Sequence, residues 1–349
     1  GENRVLAYYG LQLINKNPRP GIEAVLSHAN VYRLEEEPQS EAEHPQNVLN
    51  KEVTISDLVF MIGPRINAAG RLEKASDSVR LLIADKKEHA DKLASSINDL
   101  NVRRREFDNK ITEEALAMIE QNERLRNAKS TVIFNENWHK GVIGIVASRL
   151  TDSYYRPTIV LTRSNNLITG SARSIKNFDI YDAIDNCSDL LEHFGGHKYA
   201  AGLSLKPENL EEFSRRFEEY VANNIDKEEL IPELNVDLEI DFSDITPKFV
   251  RVLKQFAPFG PGNMAPVFLS RNVVDTGLSR SVGNKKHLKL TITQRHNPTL
   301  VLAGIAFQKG DDYLRVHSKE PFSICYCIEK NFWQGKTNLQ LNVKDIKFE

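Results

Sequence analysis

Two adjacent glycines, a histidine and a string of small residues make up Phe194-Gly195-Gly196-His197-Lys198-Tyr199-Ala200-Ala201-Gly202. A glycine pair lets the backbone fold tightly and approach a ligand closely. His197 adds a ring that can donate a hydrogen bond or carry charge near neutral pH. The small residues that follow obstruct nothing. This order suits a loop that grips a phosphate or a terminal nucleotide, and it also suits a tight turn with a packed histidine. A second set, Gly170-Ser171-Ala172-Arg173-Ser174, ends an expected strand. Small residues clear space there, two hydroxyls donate, and Arg173 can form a bidentate pair with a phosphate. A surface turn with a solvated arginine is the competing reading. Arg65, Asn67 and Arg71 lie in a proline- and glycine-punctuated stretch with no acid until Glu73. Two arginines and an amide suit a nucleotide backbone. Alternatively, Asn67 caps a helix and an arginine pairs with a buried carboxylate. Trp138 and His139 precede helical spacing that begins near Gly141. A helix N-terminus offers free N–H groups to an anion. Trp138 can stack a base or pack in a core, and the core is preferred. The Gly141-x-x-Gly144 spacing is read as close helix packing.

These residues need a scaffold, and the periodicity supplies one. Residues 1–125 read as helical. Ser76 is expected to cap a helix through Leu81, and apolar positions from Leu93 to Ile119 recur at three- and four-residue steps in one long helix. Arg103, Arg104 and Arg105 sit between them. Pro38 to Pro45 reads as an acidic loop. Residues 128–224 alternate strand and helix signals. Ile180 to Leu191 is expected as one helix, followed by the glycine loop and a strand over Ala201 to Leu205. Beyond an acidic stretch, five segments place apolar residues at every second position: Val267–Val274, His287–Thr293, Leu300–Phe307, Phe322–Ile328 and Leu339–Ile346. A five-stranded Greek-key barrel of the OB type fits them.

Composition is that of an ordinary soluble globular protein. No apolar run approaches the roughly 18 residues of a membrane span. Three cysteines, Cys187, Cys325 and Cys327, have no metal-ligand spacing and suit a reducing cytoplasm. The net charge of −2 hides an asymmetry: residues 206–250 carry 5 Lys/Arg against 13 Asp/Glu, and residues 251–349 carry 15 against 7. A basic terminal segment behind an acidic one suggests a polyanion-binding module on a repulsive spacer, or an ordinary solvated surface. Within it, Lys285, Lys286 and Lys289 are interleaved with Tyr313, Phe322, Phe332 and Trp333. Single-strand binding uses that combination. Phe256-Ala-Pro-Phe-Gly-Pro-Gly-Asn263 reads as a structural lead-in to the barrel.

The run from Gly195 to Gly202 resembles the Gly-Gly-His-x-x-Ala-Ala-Gly signature of the DHH-associated domain in DHH-family phosphoesterases. Ile62-Gly-Pro-Arg-Ile-Asn-Ala-Ala-Gly-Arg71, Trp138-His-Lys-Gly-Val-Ile-Gly-Ile-Val-Ala-Ser-Arg149 and the segment Phe256–Asn263 resemble the RecJ family of single-strand-specific exonucleases, in that family's order. The resemblance implies a multidomain α/β plus β architecture. Residues 1–125 would be the helical remainder of a DHH domain with a connecting helix. Residues 126–226 would be the DHH-associated α/β domain, 227–255 an acidic connector, and 256–349 an OB-fold single-strand-binding domain. It implies 5′-to-3′ hydrolysis of single-stranded DNA in repair and recombination. Manganese or magnesium would be held on aspartates and an Asp-His-His triplet. This sequence contains no such triplet and starts at Gly1, where the metal half would be ending. It is therefore expected to be a fragment that binds no metal and is inactive alone.

The family's 5′-phosphate site falls on Ser171 and Arg173. Its terminal-nucleotide contacts fall on Gly195, Gly196 and His197, with His197 in a supporting catalytic role. Arg65, Asn67 and Arg71 would hold the strand, and the three lysines would serve the barrel. Implied partners are single-stranded DNA, single-strand-binding protein and a recombination helicase, with no membrane. Two alternatives stay open: a non-catalytic single-strand-binding module, and a DHH-type phosphodiesterase of short oligoribonucleotides or cyclic dinucleotides. The basic barrel counts against the last.

Overall fold

The computed structural model describes residues 2–32, 49–333 and 336–348. The expected acidic loop Pro38–Pro45 and the side chains of Phe332 and Trp333 lie outside the described residues. The first third of the chain, where described, is helical: α1 (Glu2–Lys16), α2 (Pro20–Ser27), α3 (Ile55–Asp57), α4 (Gly63–Leu72), α5 (Ala75–Leu82), α6 (Lys87–Gln121) and α7 (Glu123–Asn127). Pro64 stands at the start of α4, directly after the π-helical turn Leu58–Ile62, and cannot donate to the helical ladder there. Ser76 does not cap α5. Ala75 carries the helix back past it, and the N-cap position is Lys74, which makes no side-chain cap bond. The 35 residues of α6 bury Ala90, Ala94, Ile97, Leu100, Ile111, Ala115 and Ile119, the stripe that its three- and four-residue steps predict.

An α/β segment follows: β1 (Thr131–Phe134), α8 (Ile143–Tyr154), β2 (Thr158–Ser164), β3 (Leu167–Arg173), α9 (Ile180–Asp185), β4 (Leu191–His197), β5 (Ala200–Leu205) and α10 (Leu210–Asn224). The sheet order is β1-β2-β3-β5-β4. Only β1 and β2 are parallel. One face packs Ile159, Leu161, Leu203 and Leu205 against Phe213 and Phe217 of α10. On the other, Ile133 and Val160 meet Val146 and Leu150 of α8 and Ile119 of α6. Two expectations are corrected here. The single helix over Ile180–Leu191 stops at Asp185, where Arg216 of α10 donates to the Asn186 carbonyl at 2.7 Å and satisfies the helix end. The glycine segment is then no loop. It is the last three residues of β4, held extended by pairing Gly195 with Gly202, Gly196 with Ala201 and His197 with Ala200.

The remainder is β6 (Leu238–Glu239), α11 (Pro247–Phe256), β7 (Phe268–Asp275), β8 (Arg280–Val282), β9 (His287–Gln294), β10 (Asn297–Ala306), α12 (Tyr313–His317), β11 (Phe322–Trp333) and β12 (Lys336–Phe348). The sheet runs β6-β7-β11-β12-β10-β9-β8, and an extra β7–β9 pairing closes five strands into a barrel. Alternate residues such as Leu288, Leu290 and Ile292 fill it. Ile240 and Phe242 are buried in the same core. The acidic stretch is thus not wholly a spacer, because its apolar residues help to close the barrel. Ahead of β7, Asn263 donates to the carbonyls of Phe256 and Pro258, and Arg4 donates to those of Gln255, Phe256 and Ala257.

The chain divides into two compact units. One comprises residues 19–29 and 59–233. The other gathers α1, α3 and everything from Leu234 onward. Among the described residues no helix is long and apolar enough to cross a membrane.

Candidate nucleic-acid interface

Successive residues of a strand point to opposite faces of its sheet. In β3, Ala172 goes to the core, and Ser171 and Arg173 go to the other face. Strand pairing carries that face across the sheet. Arg173 stands opposite Ala200, which stands opposite His197; Ser171 stands opposite Gly202, which stands opposite Gly195. Paired residues project to the same side. Ser171, Arg173 and His197 therefore rise from one surface whose floor is Gly202, Ala200 and Gly195. Arg173 and His197 are two strand spacings apart, about 9.5 Å. On β4 and β5, Gly195, His197 and Gly202 are exposed.

The Arg173 guanidinium is fixed from three sides. Its Nε donates to Ser148 Oγ at 3.2 Å, and its Nη1 donates to Ser171 Oγ at 2.9 Å and to the Ala172 carbonyl at 2.7 Å. A Cβ on Gly144 would lie 2.9 Å from Arg173 Nη2 and 3.0 Å from Ser171 Oγ. Gly144 thus leaves open the space over both groups, a role that its assignment to helix packing missed. The available signal was a glycine inside an apolar helix, which costs about 1 kcal/mol against alanine and asks for a reason. Gly141 does serve close packing: its Cβ would lie 2.0 Å from the Arg71 carbonyl oxygen. Arg71 in turn donates to the Gly141 carbonyl at 3.1 Å. Arg71, Lys140, Gly144, Ser171 and Arg173 line an open cleft of about 360 Å³ at the first turn of α8.

The electrostatics favour an anion there. Burial, and then the neighbouring charge of Arg71, hold the Arg173 guanidinium below its ordinary pKa. It is a poorly hydrated, immobile cation whose burden a phosphate would relieve. The Ile145 N–H in the first turn of α8 is taken by the Val142 carbonyl at 2.8 Å, and the positive end of the helix dipole adds to the attraction. Behind the cleft, the fully buried Asp108 receives Arg149 Nη2 at 2.7 Å and lies 3.5 Å from Arg104 Nη1. Burial pushes the Asp108 carboxyl up, against the pull of Arg149, Arg104, Arg71 and Arg105. One carboxylate among four arginines leaves this region strongly positive.

The predicted residues separate. Arg71, Ser171 and Arg173 meet at the cleft. His197 shares their sheet face. Its Nδ1 accepts the Tyr199 N–H at 3.2 Å, which leaves Nε2 to donate. The glycine pair splits. A Cβ on Gly195 meets nothing within 4 Å. Gly196 has φ +154°, and its Cβ would lie 2.4 Å from the Ala200 carbonyl oxygen. Arg65 is spent on the scaffold, donating to Met61 O, Asn98 Oδ1 and His28 O. Asn67 is exposed on α4, caps no helix, and like Arg65 is not part of the cleft lining. Trp138 is a core residue whose Nε1 donates to Glu114 at 2.8 Å.

In the barrel unit, Lys285 and Lys286 are exposed in the β8–β9 turn. Lys289 on β9 pairs with Arg280 on β8. Phe307, 55% exposed, stands edge-on to His287 at 5.3 Å. Arg280 and the exposure of Phe307 were not foreseen; a basic residue opposite Lys289 is visible only once the strands are paired. Phe322 is fully buried and Tyr313 stacks on His317. Among the described residues no three His, Cys, Asp or Glu side chains are grouped to hold a metal ion.

Comparisons with known proteins agree with this fold. Residues 127–223 match the DHHA1 domain model and residues 236–345 the RecJ OB domain model. The chain is 34% identical over 348 residues to the single-stranded-DNA-specific exonuclease RecJ of Bacillus subtilis (strain 168), covering 99% of this chain and 41% of that protein. It is 32% identical over 355 residues to RecJ of Haemophilus influenzae, covering 99% and 58%. The crystal structure of RecJ in complex with Mn2+ from Thermus thermophilus superposes with a TM-score of 0.80 at 25% identity, covering 100% of this chain and 47% of that one. The chain thus spans about half the length of the relatives it matches. With a DHHA1 domain, an OB barrel and this similarity along nearly its whole length, the chain belongs to the RecJ family of single-stranded-DNA-specific exonucleases.

Proposed function

We propose that this chain supplies the 5′-phosphate grip and the single-strand-binding barrel of a metal-dependent 5′-to-3′ single-stranded-DNA exonuclease acting in repair and recombination. The observation that carries the proposal is Arg173, half-buried and aimed with Ser171 and Arg71 into an open cleft. A 5′-phosphate entering the cleft accepts from the guanidinium groups and the Ser171 hydroxyl, and its charge meets the first turn of α8. The floor of Gly195, Ala200 and Gly202 admits the terminal sugar and base. His197 Nε2 donates across the floor to the strand. In this proposal the exposed lysines of the barrel hold DNA further along.

RecJ of Thermus thermophilus has been crystallised with Mn2+ and with Mg2+. The described residues here do not fit such an ion, for they offer no cluster of three candidate ligands. No hydrolytic step is therefore assigned to them, and the chain alone is expected not to hydrolyse DNA. Release of mononucleotides with manganese, abolished by Arg173→Ala, would overturn that expectation. A cytoplasmic setting and partnership with single-strand-binding protein and a helicase belong to the same proposal; three free thiols suit a reducing compartment. The lack of a ligand cluster also favours a second reading, a purely binding module. The deciding experiment compares fluorescence anisotropy of 5′-phosphorylated and 5′-hydroxyl single strands. A preference for the phosphate that Arg173→Ala removes supports the end grip; equal binding of both ends leaves the binding module.

A further inference from the structure

The cleft described above accounts for a phosphate and a terminal nucleotide. It does not account for an aromatic pair at its rim. Phe107, on α6, is 37% exposed. Its ring stacks on that of His139 at 5.5 Å with an interplanar angle of 17°. His139 is itself fixed: its Nδ1 accepts the Gly141 N–H at 3.1 Å. A Cβ on Gly141 would lie 3.1 Å from His139 Cε1, and Gly141 lines the cleft. The stacked pair is therefore tied to the phosphate cleft through a single residue. The remaining face of Phe107 looks away from His139.

The surroundings of that ring are cationic. Positions three and four apart on a helix are neighbours. Arg103 and Lys110 are thus one turn to either side of Phe107 on α6, and both are exposed. Lys140, next to His139, is exposed and lines the cleft. Arg103 lies 3.8 Å from Glu73, so Lys110 and Lys140 are the cations left to a ligand. An exposed apolar ring flanked by such charges is poorly suited to an apolar partner, which would strand them. It suits a ligand that alternates flat apolar faces with negative charge. A base–aromatic contact is indifferent to which base is present, because every base has a π-face.

We propose that Phe107, backed by His139, is a base-stacking platform for a nucleotide next to the one whose 5′-phosphate enters the cleft. The inference rests on the proposed end grip, and it names a second contact of the same strand. It makes α6 part of the DNA path and gives the Trp138-His139 segment a function through His139. Trp138, buried beside it, serves the core.

The test is an abasic scan. The 349-residue chain is titrated with 5′-phosphorylated single strands that each lack one base, starting from the 5′ end, and binding is read by anisotropy. The wild-type chain should lose affinity roughly 5- to 100-fold when one particular base near the 5′ end is missing. Phe107→Ala should bind the intact strand weaker by that factor and lose nothing further at that position. Phe107→Trp should retain the wild-type pattern, and Phe107→Leu, which keeps an apolar side chain of similar bulk, should resemble the alanine variant. Wild-type affinity in Phe107→Ala, or an equal loss on a wholly abasic strand, would overturn the platform. The two proposals fail separately. A scan that keeps its 5′-proximal step on strands without a 5′-phosphate preference would sink the end grip and leave the platform. A flat scan with the phosphate preference intact would do the reverse.

Discussion

The cleft of the α/β unit and the lysine-rich face of the barrel both present positive charge, and they present it in different physical states. Arg173 is half-buried, is held by three hydrogen bonds and is repelled by Arg71. Lys285, Lys286 and Lys289 are exposed, two of them in a turn whose Asn284 and Lys285 adopt positive φ. A fixed, poorly hydrated guanidinium reads the geometry of phosphate oxygens. Hydrated lysines attract any polyanion and do so through counterion release. The contrast separates recognition of an end from attraction of a strand.

Four variants break or sharpen that contrast. The largest effect is expected at Gly196, where a Cβ meets backbone atoms of Ala200 and Ala201 at 2.4 and 2.5 Å. Gly196→Ala should lower stability by about 3 kcal/mol, read as a drop of several degrees in Tm, and so dismantle the sheet face that carries His197. Arg173→Ala comes next. Loss of hydrogen bonds to a charged group costs about 1.5–3 kcal/mol. The preference for 5′-phosphorylated over 5′-hydroxyl strands should fall about 10- to 100-fold, with affinity for 5′-hydroxyl strands little changed. Gly144→Ala should separate binding from folding. Its new Cβ displaces the tip of Arg173 and weakens phosphate binding several-fold, and Tm should hold or rise because alanine favours a helix by about 1 kcal/mol over glycine. A fall in Tm with unchanged binding would show that Gly144 serves packing alone. The smallest effect per residue is expected from Lys285, Lys286 and Lys289. Replacing all three by alanine should flatten the salt dependence, by about 0.7 in the logarithmic slope for each phosphate no longer neutralised, and leave the 5′-phosphate preference intact.

Much of this arrangement was legible in the residues. The barrel strands declared themselves by alternation, because one face of each is buried and period two has no other common cause. The stripe of α6 did the same at helical spacing. Gly195 and Gly196 escaped because a residue without a side chain contributes nothing to a period; only pairing with β5 makes them a strand. Arg65 and Arg71 looked equivalent because they share one motif. Six residues apart on a helix, they point to different neighbours, Arg65 into Asn98 and backbone carbonyls and Arg71 into the cleft. The 206–250 charge count suggested a spacer because it averages over Ile240 and Phe242, whose burial, not their number, places them in the barrel. Ser171 with Arg173 was readable locally, since both lie on one strand at a separation of two.

The position of β4 has a consequence outside DNA binding. It is the edge of its sheet, so among the described residues one rim of its backbone donors and acceptors has no strand beside it. Such rims template pairing with other chains, and proteins guard them. Glycines are among the poorest strand formers. Gly195, which flattens the floor of the interface, and Gly196 beside it also make the exposed edge a poor seed for intermolecular sheets. Valine at Gly195 would find open space and still do harm, by turning a protected border into an adhesive one.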